Sequence, residues 1–401
     1  MKIALMSFEY PPETGFGGIG TYTWYHARAL VKLGHEVHVL AGATDPTPLR
    51  TVELDGVLVH RFRSDGRMMR SLRGLDRFRL WWTKSRLQNA MCMYRGLTSL
   101  CKQHRFDVIE MPECGAEGAL VNHLISRPTV VKLHSPSRLI MPFYDVRRAD
   151  ITLCSLVERI GIRGATAFTS CSRFLAEEAR DKLRIRMPIR VVPNGIDLEL
   201  FDAADQVDFR SKFDIPKDLV TVLFAGRMEQ RKGIHLCKEI AASILEQHEV
   251  AFVFAGQDLF GYMADTLLPY LRTRKLRGSV HYLGRLGLLD MRSCVRQSDI
   301  FLIPSLWENC PYSCLEAMAA GRAIVSSHQG GMPELIRDGE NGMMADLDEP
   351  RQFVACLERL IEDEGLRQRL GRAARRTIER FHRDVRIARI TSEFYEECLR
   401  N

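Results

Sequence analysis

The sequence predicts an α/β protein built from two parallel sheets, and three observations support this prediction. Short apolar runs alternate with helical segments along the chain, as in sheets whose strands are joined by helices. This alternation starts afresh after a turn-rich stretch at 193–197. At 401 residues, the chain is also too long for one ordinary hydrophobic core. We therefore expect two α/β domains that meet near this stretch.

Composition indicates a globular protein of a reducing compartment. The chain is 46% hydrophobic and 27% charged, with a formal net charge of +7. Its 11 cysteines are scattered, without the framework of a secreted domain. The apolar start is too short for a signal peptide, and no apolar run approaches the roughly 20 residues of a membrane span. We expect a cytoplasmic protein whose membrane contact, if any, is peripheral.

The first half begins as a strand, a long loop, a helix and a second strand. Residues 3–8 predict a buried strand, Thr21 is the expected N-cap of a helix, and Gly34 is its expected stop. Further strands are predicted at 36–40, 106–110, 129–133 and 167–172, and a helix at 173–183.

The long loop contains Gly15, Gly17 and Gly20 in the spacing of a dinucleotide-binding fingerprint. That fingerprint needs a tight turn from strand to helix, whereas two prolines and several other residues intervene here. Gly17 and Gly18 would instead let the backbone approach a phosphate or a sugar closely. The alternative is a flexible surface loop.

Residues 61–95 are rich in arginine, with Asp65 and Asp76 as the acidic residues and Trp81 and Trp82 among the basic ones. Basic residues with interfacial aromatics suit an anionic membrane surface or an anionic acceptor. No helix-turn-helix, zinc finger or RNA-binding signature is present, so we expect no nucleic acid partner. The alternative is a solvated helical face. The predicted membrane or acceptor patch comprises Arg67, Arg70, Arg73, Arg77, Trp81, Trp82 and Lys84.

The second half repeats the α/β pattern, with a helix at 234–247 after its first strand. Its strands are predicted at 221–225, 250–255, 279–283, 299–304 and 323–327. The loops after these strands should meet at one edge of the sheet, where ligands of open α/β sheets bind. Arg227 and Lys232, each beside a glycine on the first loop, could neutralise a diphosphate.

Residues 305–316 form the most informative loop, with Glu308 in the loop and Glu316 in the helix that follows. A helix amino end attracts a phosphate, whereas the two carboxylates suit hydroxyl groups. A nucleotide-sugar combines these features. The alternative is an ordinary strand–loop–helix corner with surface glutamates. Cys310 and Cys314 lack a second pair of ligands nearby, so we expect no zinc site there.

His134 directly follows the strand at 129–133. A histidine at the carboxyl end of a parallel strand is placed to touch a ligand, although a lone histidine is more often structural.

Taken together, these motifs resemble the retaining nucleotide-sugar glycosyltransferases of the GT-B fold, in particular glycosyltransferase family 4. The resemblance covers nearly the whole chain, and the order of the motifs is its most specific feature. The motifs are Gly17-Gly18, His134, the stretch 192–197, Gly226-Arg227 through Lys232-Gly233, Glu308 with Glu316, and Gly330-Gly331 with Glu334.

The resemblance implies two Rossmann-like domains that face a cleft, with the last helix packing back on the first domain. The acceptor-binding domain would span 1–188 with the helix at 385–401, and the donor-binding domain would span 189–384. Such enzymes transfer a hexose from a UDP- or GDP-sugar to an acceptor hydroxyl without a cofactor or dissociable metal. The acceptor would be a glycan, lipid-linked or anionic, in cell-surface polysaccharide or glycolipid synthesis at the inner membrane face.

The resemblance also implies a role for each site residue. Arg227 and Lys232 would hold the diphosphate, Glu316 the ribose and Glu308 the transferred sugar, while His134 would approach that sugar from the other domain. The backbone of Pro311, Tyr312 and Ser313 would cradle phosphate. Gly284, Arg285 and Leu286 would lie beside the base, and Gly17 and Gly18 would contact the donor. A same-face internal return, with the leaving phosphate as base, would need no protein nucleophile.

The chain departs from the family form after the first glutamate, where Asn309-Cys310-Pro311 replaces Gly-Phe-Gly, so the sugar preference stays open. Two other functions also stay open. One is an oxidoreductase that uses the Gly15–Gly20 loop, although the second strand lacks the acidic residue such an enzyme needs near its end. The other is a non-catalytic basic binding protein.

Overall fold

The computed structural model describes residues 1–15, 17–43, 50–62, 72, 74–203 and 207–400. The chain divides into two compact units, which we call unit 1 and unit 2. Unit 1 comprises Met1–Gly195 and Asp384–Asn401, and unit 2 comprises Ile196–Arg383. The division between Gly195 and Ile196 falls within the turn-rich stretch at 193–197, a few residues beyond the predicted end of the first domain at residue 188.

The described part of unit 1 forms one sheet covered by helices. Its strands are β1 Lys2–Met6, β2 Glu36–Gly42, β3 Arg50–Leu54, β4 Val57–Phe62, β5 Val108–Pro112, β6 Thr129–Leu133, β7 Ala167–Ser170 and β8 Ile189–Val191. Its helices are α1 Gly18–Lys32, α2 Gly74–Arg77, α3 Trp81–Cys101, α4 Val121–Leu124, α5 Ser137–Ile140, α6 Arg148–Ile162, α7 Arg173–Leu183 and α17 Asp384–Arg400, and a 3₁₀ turn spans Met141–Phe143.

The described part of unit 2 has the same kind of architecture. Its strands are β9 Val220–Ala225, β10 Val250–Ala255, β11 Ser279–Tyr282, β12 Ile300–Ile303, β13 Ala323–Ser327 and β14 Met343–Ala345. Its helices are α8 Glu199–Asp202, α9 Phe209–Lys212, α10 Ile234–Gln247, α11 Leu268–Arg272, α12 Leu288–Gln297, α13 Tyr312–Ala319, α14 Met332–Leu335, α15 Pro350–Glu362 and α16 Glu364–Thr377. A 3₁₀ turn spans Gln230–Lys232, and π-helical turns span Met263–Leu267 and Ile378–His382.

The sheet of unit 1 has the strand order β3-β4-β2-β1-β5-β6-β7-β8. Its described pairings are parallel except for β3, which runs antiparallel to β4 at the edge. The strand order reverses between β1 and β5, which defines the switch point where open α/β sheets bind ligands. The loops that follow β1 and β5 therefore flank the expected ligand position of this unit.

The sheet of unit 2 has the order β11-β10-β9-β12-β13-β14, and each recorded pairing is parallel. Strands β10 and β12 are apolar along their length because helices cover both faces of such a sheet. The strand order reverses between β9 and β12. The loop with Arg227 and Lys232 and the loop with Glu308 therefore leave the sheet at its switch point.

Helix α17 packs on α1 within unit 1. Its Tyr395 is fully buried, and the hydroxyl of Tyr395 donates a hydrogen bond to Glu110 at 2.7 Å. At the start of the helix, Asp384 lies 3.4 Å from the Lys32 ammonium group. The carboxyl-terminal segment thus completes the core of the unit that contains the amino terminus.

The structure corrects the predicted start of α1. The helix begins at Gly18 with Gly17 as its N-cap, and Thr21 lies within the first turn. Both the backbone N–H and the hydroxyl of Thr21 donate to the Gly17 carbonyl at 3.0 Å. Thr21 resembles a cap by residue type, but its hydroxyl bonds to the preceding turn, as threonine does inside helices.

None of the described helices is both long enough and apolar enough to cross a lipid bilayer.

Candidate active site

Glycines join the loops that follow β9, β10 and β11 at the carboxyl edge of the unit 2 sheet. A Cβ atom on Gly256, where φ is 146°, would lie 1.8 Å from the carbonyl oxygen of Gly226. The N–H of Gly256 also donates to the carbonyl of Gly284 at 2.7 Å. Any side chain at Gly256 would separate these loops. The predicted residues Gly284, Arg285 and Leu286 therefore lie on a loop hydrogen-bonded to the one that follows β10.

The loop after β9 carries a network of ion-paired side chains that the sequence alone did not reveal. Glu229 is buried, and its Oε1 accepts a hydrogen bond from Arg231 at 2.7 Å and lies 3.2 Å from a guanidinium nitrogen of Arg227. The side chain of Arg227 is 50% exposed, whereas that of Arg231 is buried. Arg227 is therefore accessible to a ligand, and its ion pair with Glu229 orients its guanidinium group.

Lys232 and Glu308 are in direct contact as a hydrogen-bonded ion pair. The hydroxyl of Ser305 donates to the same carboxylate oxygen at 3.0 Å, and Arg231 lies 3.8 Å from the other oxygen. Burial lowers the pKa of Lys232 against the opposing effect of Glu308. Burial acts to raise the pKa of Glu308, but Lys232 and Arg231 outweigh it and lower that pKa. Glu308 is therefore an ionised acceptor held beside two cations.

The backbone of Glu308 rests on the loop after β13. The N–H of Gly331 donates to the Glu308 carbonyl at 2.8 Å. A Cβ atom on Gly330, where φ is 66°, would lie 1.9 Å from that same carbonyl oxygen. Gly330 and Gly331 thus fix the position of the carboxylate-bearing loop.

The first turn of α13 begins at Tyr312, with Pro311 as its N-cap. A helix amino end attracts an anion through its dipole and its first-turn N–H groups. Glu316 lies one turn further along the helix and is partly exposed. Burial raises the pKa of Glu316 to about 7, while the charge of Arg292 acts in the opposite direction. This carboxyl group therefore changes its charge close to neutral pH.

In unit 1, the carboxylate of Glu113 holds the loop that contains His134. It accepts hydrogen bonds from the backbone N–H of His134 at 2.8 Å and of Ser135 at 2.6 Å. The ring of His134 is buried and lies edge-on to Tyr22, with 4.9 Å between ring centroids. Burial, reinforced by Lys132, lowers the pKa of His134 to about 3. His134 is therefore a neutral ring at the end of β6, able to exchange hydrogen bonds but not to act as a cation.

The glycines of the first loop pack around Glu9. A Cβ atom would lie 2.7 Å from the Glu9 side chain if placed on Gly15, 2.3 Å if placed on Gly17 and 2.9 Å if placed on Gly20. A Cβ atom on Gly18 would meet no atom within 4 Å. The fingerprint-like spacing thus accommodates an internal glutamate, and Gly18 is the position open to close approach.

The predicted basic patch is only partly within the described residues, because Arg67, Arg70 and Arg73 lie outside them. Trp81 and Trp82 are 60% and 43% exposed, and Arg77 is also exposed. The ammonium group of Lys84 contacts Asp76, so its charge is locally offset.

The wider basic segment does not form one solvated face. Arg61 is buried against Glu13, and Arg86 is buried in unit 1 beside Glu158. Both arginines therefore belong to the interior of the unit, where residue type alone predicted a surface role.

The structure thus connects Arg227, Lys232 and Glu308 in one charged network at the switch point of unit 2. Sequence reasoning missed Glu229 and Arg231, which link these residues. Glu229 and Arg231 lie between Arg227 and Lys232 in the sequence. This position between the two predicted cations is the one signal that could have identified them. Among the described residues, Glu316 makes no hydrogen bond to this network.

Two family models match the chain in succession. The model described as Glycosyltransferase Family 4 matches residues 16–200, and the model described as Glycosyl transferases group 1 matches residues 205–377. The chain belongs to glycosyltransferase family 4 and has the GT-B fold, as the motifs predicted. This membership decides against the oxidoreductase and the non-catalytic binding protein.

Curated relatives agree with this assignment over 90% or more of their length. An uncharacterised glycosyltransferase of Methanocaldococcus jannaschii is 27% identical, with 100% of this chain and 99% of the relative covered. A D-inositol 3-phosphate glycosyltransferase of Corynebacterium diphtheriae is 26% identical, with 93% of this chain and 90% of the relative covered.

Solved structures share the fold. Sucrose-phosphate synthase from Thermosynechococcus elongatus has a TM-score of 0.81 at 18% identity, covering 99% of this chain and 98% of its own. The Anabaena protein HepE in complex with UDP-glucose has a TM-score of 0.72 at 18% identity, covering 99% of this chain and 100% of its own.

Proposed function

We propose that this protein transfers a hexose from a nucleoside-diphosphate sugar to an acceptor hydroxyl, with retention at the anomeric carbon and without a dissociable metal ion. The observation that supports this proposal is the charged network of Arg227, Lys232 and Glu308 at the switch point of unit 2. Cations and a carboxylate lie side by side there, next to a helix amino end. Such an arrangement matches a ligand in which a diphosphate adjoins a sugar.

The ion pair between Lys232 and Glu308 suggests how a donor would be received. In this structure, Lys232 and Glu308 neutralise each other's charge. In the proposed complex, Lys232 turns to the diphosphate and Glu308 accepts hydrogen bonds from sugar hydroxyls. Arg227 and Lys232 then stabilise the negative charge that develops on the departing diphosphate.

The proposed reaction course needs no protein nucleophile. The bond between the anomeric carbon and the phosphate oxygen breaks, and the acceptor oxygen bonds to the same face of that carbon. The departing phosphate takes the acceptor's proton. Glu308 orients the sugar in this scheme.

A donor panel tests the proposed activity. We expect slow release of nucleoside diphosphate from one UDP- or GDP-hexose without acceptor, and UDP-glucose is the first to test because HepE is found in complex with it. Calorimetric titration with UDP, GDP and NAD provides the comparison. Tight NAD binding, with neither UDP nor GDP bound, would contradict the proposal.

Two glutamate variants test the proposed division of roles. Glu316→Ala should weaken the binding of plain nucleoside diphosphate, because Glu316 is assigned to the ribose. Glu308→Ala should leave that binding nearly unchanged and should impair hydrolysis of the donor sugar. The opposite pattern would overturn the two assignments.

We also propose that unit 1 carries a face for an anionic membrane that holds lipid-linked or anionic acceptors. The amino end of α3 lies against the start of α6, since Asp150 accepts hydrogen bonds from the N–H groups of Trp82 and Thr83 at 3.0 and 2.9 Å. Exposed apolar side chains occur on both segments. They are Phe78, Trp81, Trp82, Leu153, Leu156 and Ile160.

Basic residues accompany this apolar surface. Arg147 and Arg148 at the start of α6 are exposed, and Arg147 donates a hydrogen bond to the carbonyl of Phe78 at 2.9 Å. On α6 itself, the acidic residues Asp150 and Glu158 are buried. Each basic residue near an anionic bilayer adds about 1 kcal/mol of attraction, and tryptophan suits the interface.

Vesicle co-sedimentation tests the membrane proposal. The wild type should pellet with anionic vesicles at low salt, should not pellet with neutral vesicles, and should be released at high salt. Replacing Arg70, Arg73 and Arg77 by serine, or Trp81 and Trp82 by serine, should abolish pelleting while donor hydrolysis persists. Leu259 and Phe260, exposed on unit 2, provide a matched control pair. If the wild type ignores anionic vesicles, a soluble acceptor replaces the membrane in the proposal.

A further inference from the structure

Three side chains of metal-ligand type converge in unit 1, away from the residues discussed above. In the part of the chain that the structure describes, Glu36, His38 and His104 each offer one ligand atom, and these atoms all lie within 4.8 Å of one another. The Nε2 atom of His38 is 3.0 Å from a carboxylate oxygen of Glu36. The ring centroids of His38 and His104 are 4.5 Å apart.

The fold explains why residues so distant in the chain meet here. Alternate residues of a strand share a face, so His38 and Leu40 of β2 point to the same side of the sheet. Helix α3 covers that side, because a Cβ atom on its Gly96 would lie 3.3 Å from the side chain of Leu40. The segment after α3 then brings His104 to His38. The cluster therefore links a strand to the segment between α3 and β5.

A chain of hydrogen bonds continues from His38 into the sheet. Its Nδ1 lies 2.8 Å from Nε2 of His60, and Nδ1 of His60 lies 2.9 Å from the hydroxyl of Thr51. If His60 donates to Thr51, its Nε2 accepts the Nδ1–H of His38. The lone pair of His38 Nε2 is then available to an ion, which would replace the hydrogen bond that the Nε2–H otherwise donates to Glu36 at 3.0 Å. Metal-binding histidines commonly have their second ring nitrogen fixed in this way.

We propose that Glu36, His38 and His104 form a binding site for a divalent transition-metal ion of the zinc class. Two imidazole nitrogens and one carboxylate are a common ligand set for such ions, and a water molecule can take the fourth position. Magnesium and calcium prefer sets made of oxygen ligands. The side chain of Glu36 is 51% exposed, so an ion can enter from solvent.

The position of the site indicates a structural role. Glu36 is the first residue of β2, at the amino edge of the sheet, whereas His134 follows the carboxyl end of β6. From His38 to the carboxyl end of β2 at Gly42 is roughly 13 Å at about 3.3 Å per residue. An ion here would cross-link β2 and the segment that carries His104, which stabilises unit 1 without touching the donor residues.

Metal titration of the untagged, metal-stripped full chain tests the proposal. We expect one zinc ion per chain by calorimetry, and cobalt(II) should give the strong visible absorption of a four-coordinate site. A hundredfold excess of zinc over its Kd should raise the Tm of the transition that includes unit 1 by about 5 °C. His104→Ala and Glu36→Gln should each weaken zinc binding at least tenfold and remove this shift, while UDP binding stays unchanged.

Three further variants sharpen the test. His248→Ala is the matched control, because His248 faces a single carboxylate, Glu358, at 3.9 Å and should not affect tight zinc binding. His60→Ala should weaken the affinity about 10- to 100-fold with the stoichiometry kept. Lys2 contacts Glu36 at 2.7 Å, so Lys2→Ala removes a competing cation and should tighten binding. The proposal is overturned if the wild type binds no zinc, or if His104→Ala binds it as tightly as the wild type.

Discussion

Glu316 shows how burial sets the charge of a single residue in the proposed donor site. Its carboxyl has a pKa of about 7 because partial removal from water disfavours the charged form. An ionised carboxylate accepts hydrogen bonds from ribose hydroxyls, whereas the protonated form loses part of this capacity. The charge state of this one residue should therefore govern how nucleotide binding depends on pH.

We predict that UDP-glucose binds about tenfold more tightly at pH 8 than at pH 6. The sign follows because Glu316 ionises as the pH rises through about 7. UDP-glucose is the suitable ligand, since its diphosphate is esterified at both ends and does not titrate in this range. Calorimetry at both values checks the ratio. Glu316→Gln should bind equally at the two pH values, and a wild type without pH dependence would contradict the assignment.

Arg227 and Lys232 are the two cations assigned to the donor diphosphate. Arg227→Ala and Lys232→Ala should each slow transfer about a hundredfold, which corresponds to about 3 kcal/mol of lost charge stabilisation. Lys232→Ala also leaves Glu308 with one cation fewer, so the pKa of Glu308 should rise. Steady-state kinetics measures the effect, with Lys238→Ala as a control on α10. Near-normal rates in both variants would remove the proposed phosphate site.

At the scale of elements, the loops of unit 2 are held by close backbone contacts. Gly330 packs against the Glu308 carbonyl, and Gly256 packs against the Gly226 carbonyl. These contacts position the loop of Glu308 and the loop of Arg227 without direct involvement in chemistry. A substitution in one loop should therefore shift the functional residue of another loop.

We predict that Gly330→Ala impairs donor hydrolysis about tenfold or more. The new Cβ atom would lie 1.9 Å from the carbonyl oxygen of Glu308, so the loop that carries Glu308 must move. Gly339→Ala is the matched control. Its φ of 71° is close to the 66° of Gly330, but a Cβ atom there meets nothing within 4 Å. Comparing the two variants separates the clash from backbone strain. Equal activity in both would show that the contact with Glu308 is unimportant.

At the scale of the whole molecule, the chain returns to unit 1 after completing unit 2. Helix α17 contributes Tyr395, which together with Tyr22 donates a hydrogen bond to the buried carboxyl of Glu110. Burial raises the pKa of Glu110. The last helix is thus part of the core of unit 1, and its loss would expose apolar surface.

We predict that Tyr395→Phe destabilises unit 1 by about 1–3 kcal/mol, because Glu110 loses one of its two tyrosine donors while staying buried. Urea unfolding followed by tryptophan fluorescence measures this change. Tyr270→Phe in unit 2 is the control, because the hydroxyl of Tyr270 donates a solvent-exposed hydrogen bond to Glu239. UDP binding should survive at low urea, since the residues assigned to the diphosphate and the ribose, Arg227, Lys232 and Glu316, belong to unit 2. An unchanged unfolding midpoint would contradict this account.

The sequence alone was enough to predict strands β9 to β13 and helix α10 of unit 2, and to indicate the family. The bounds of α10, β10 and β13 match the prediction because each is an apolar segment ended by turn residues, a signal contained within the segment. The order and spacing of the motifs from Gly17-Gly18 to Gly330-Gly331, taken together, were enough to identify glycosyltransferase family 4.

Which groups are paired, buried or shifted in pKa depends on contacts that form only in the folded chain. Arg61 and Arg86 lie in a basic segment, yet burial places them beside Glu13 and Glu158. The cluster of Glu36, His38 and His104 has no local signal, because its members meet only after β2 and the segment beyond α3 pack together. Local periodicity encodes a helix or strand, whereas charge partners and desolvation depend on residues far away in the chain.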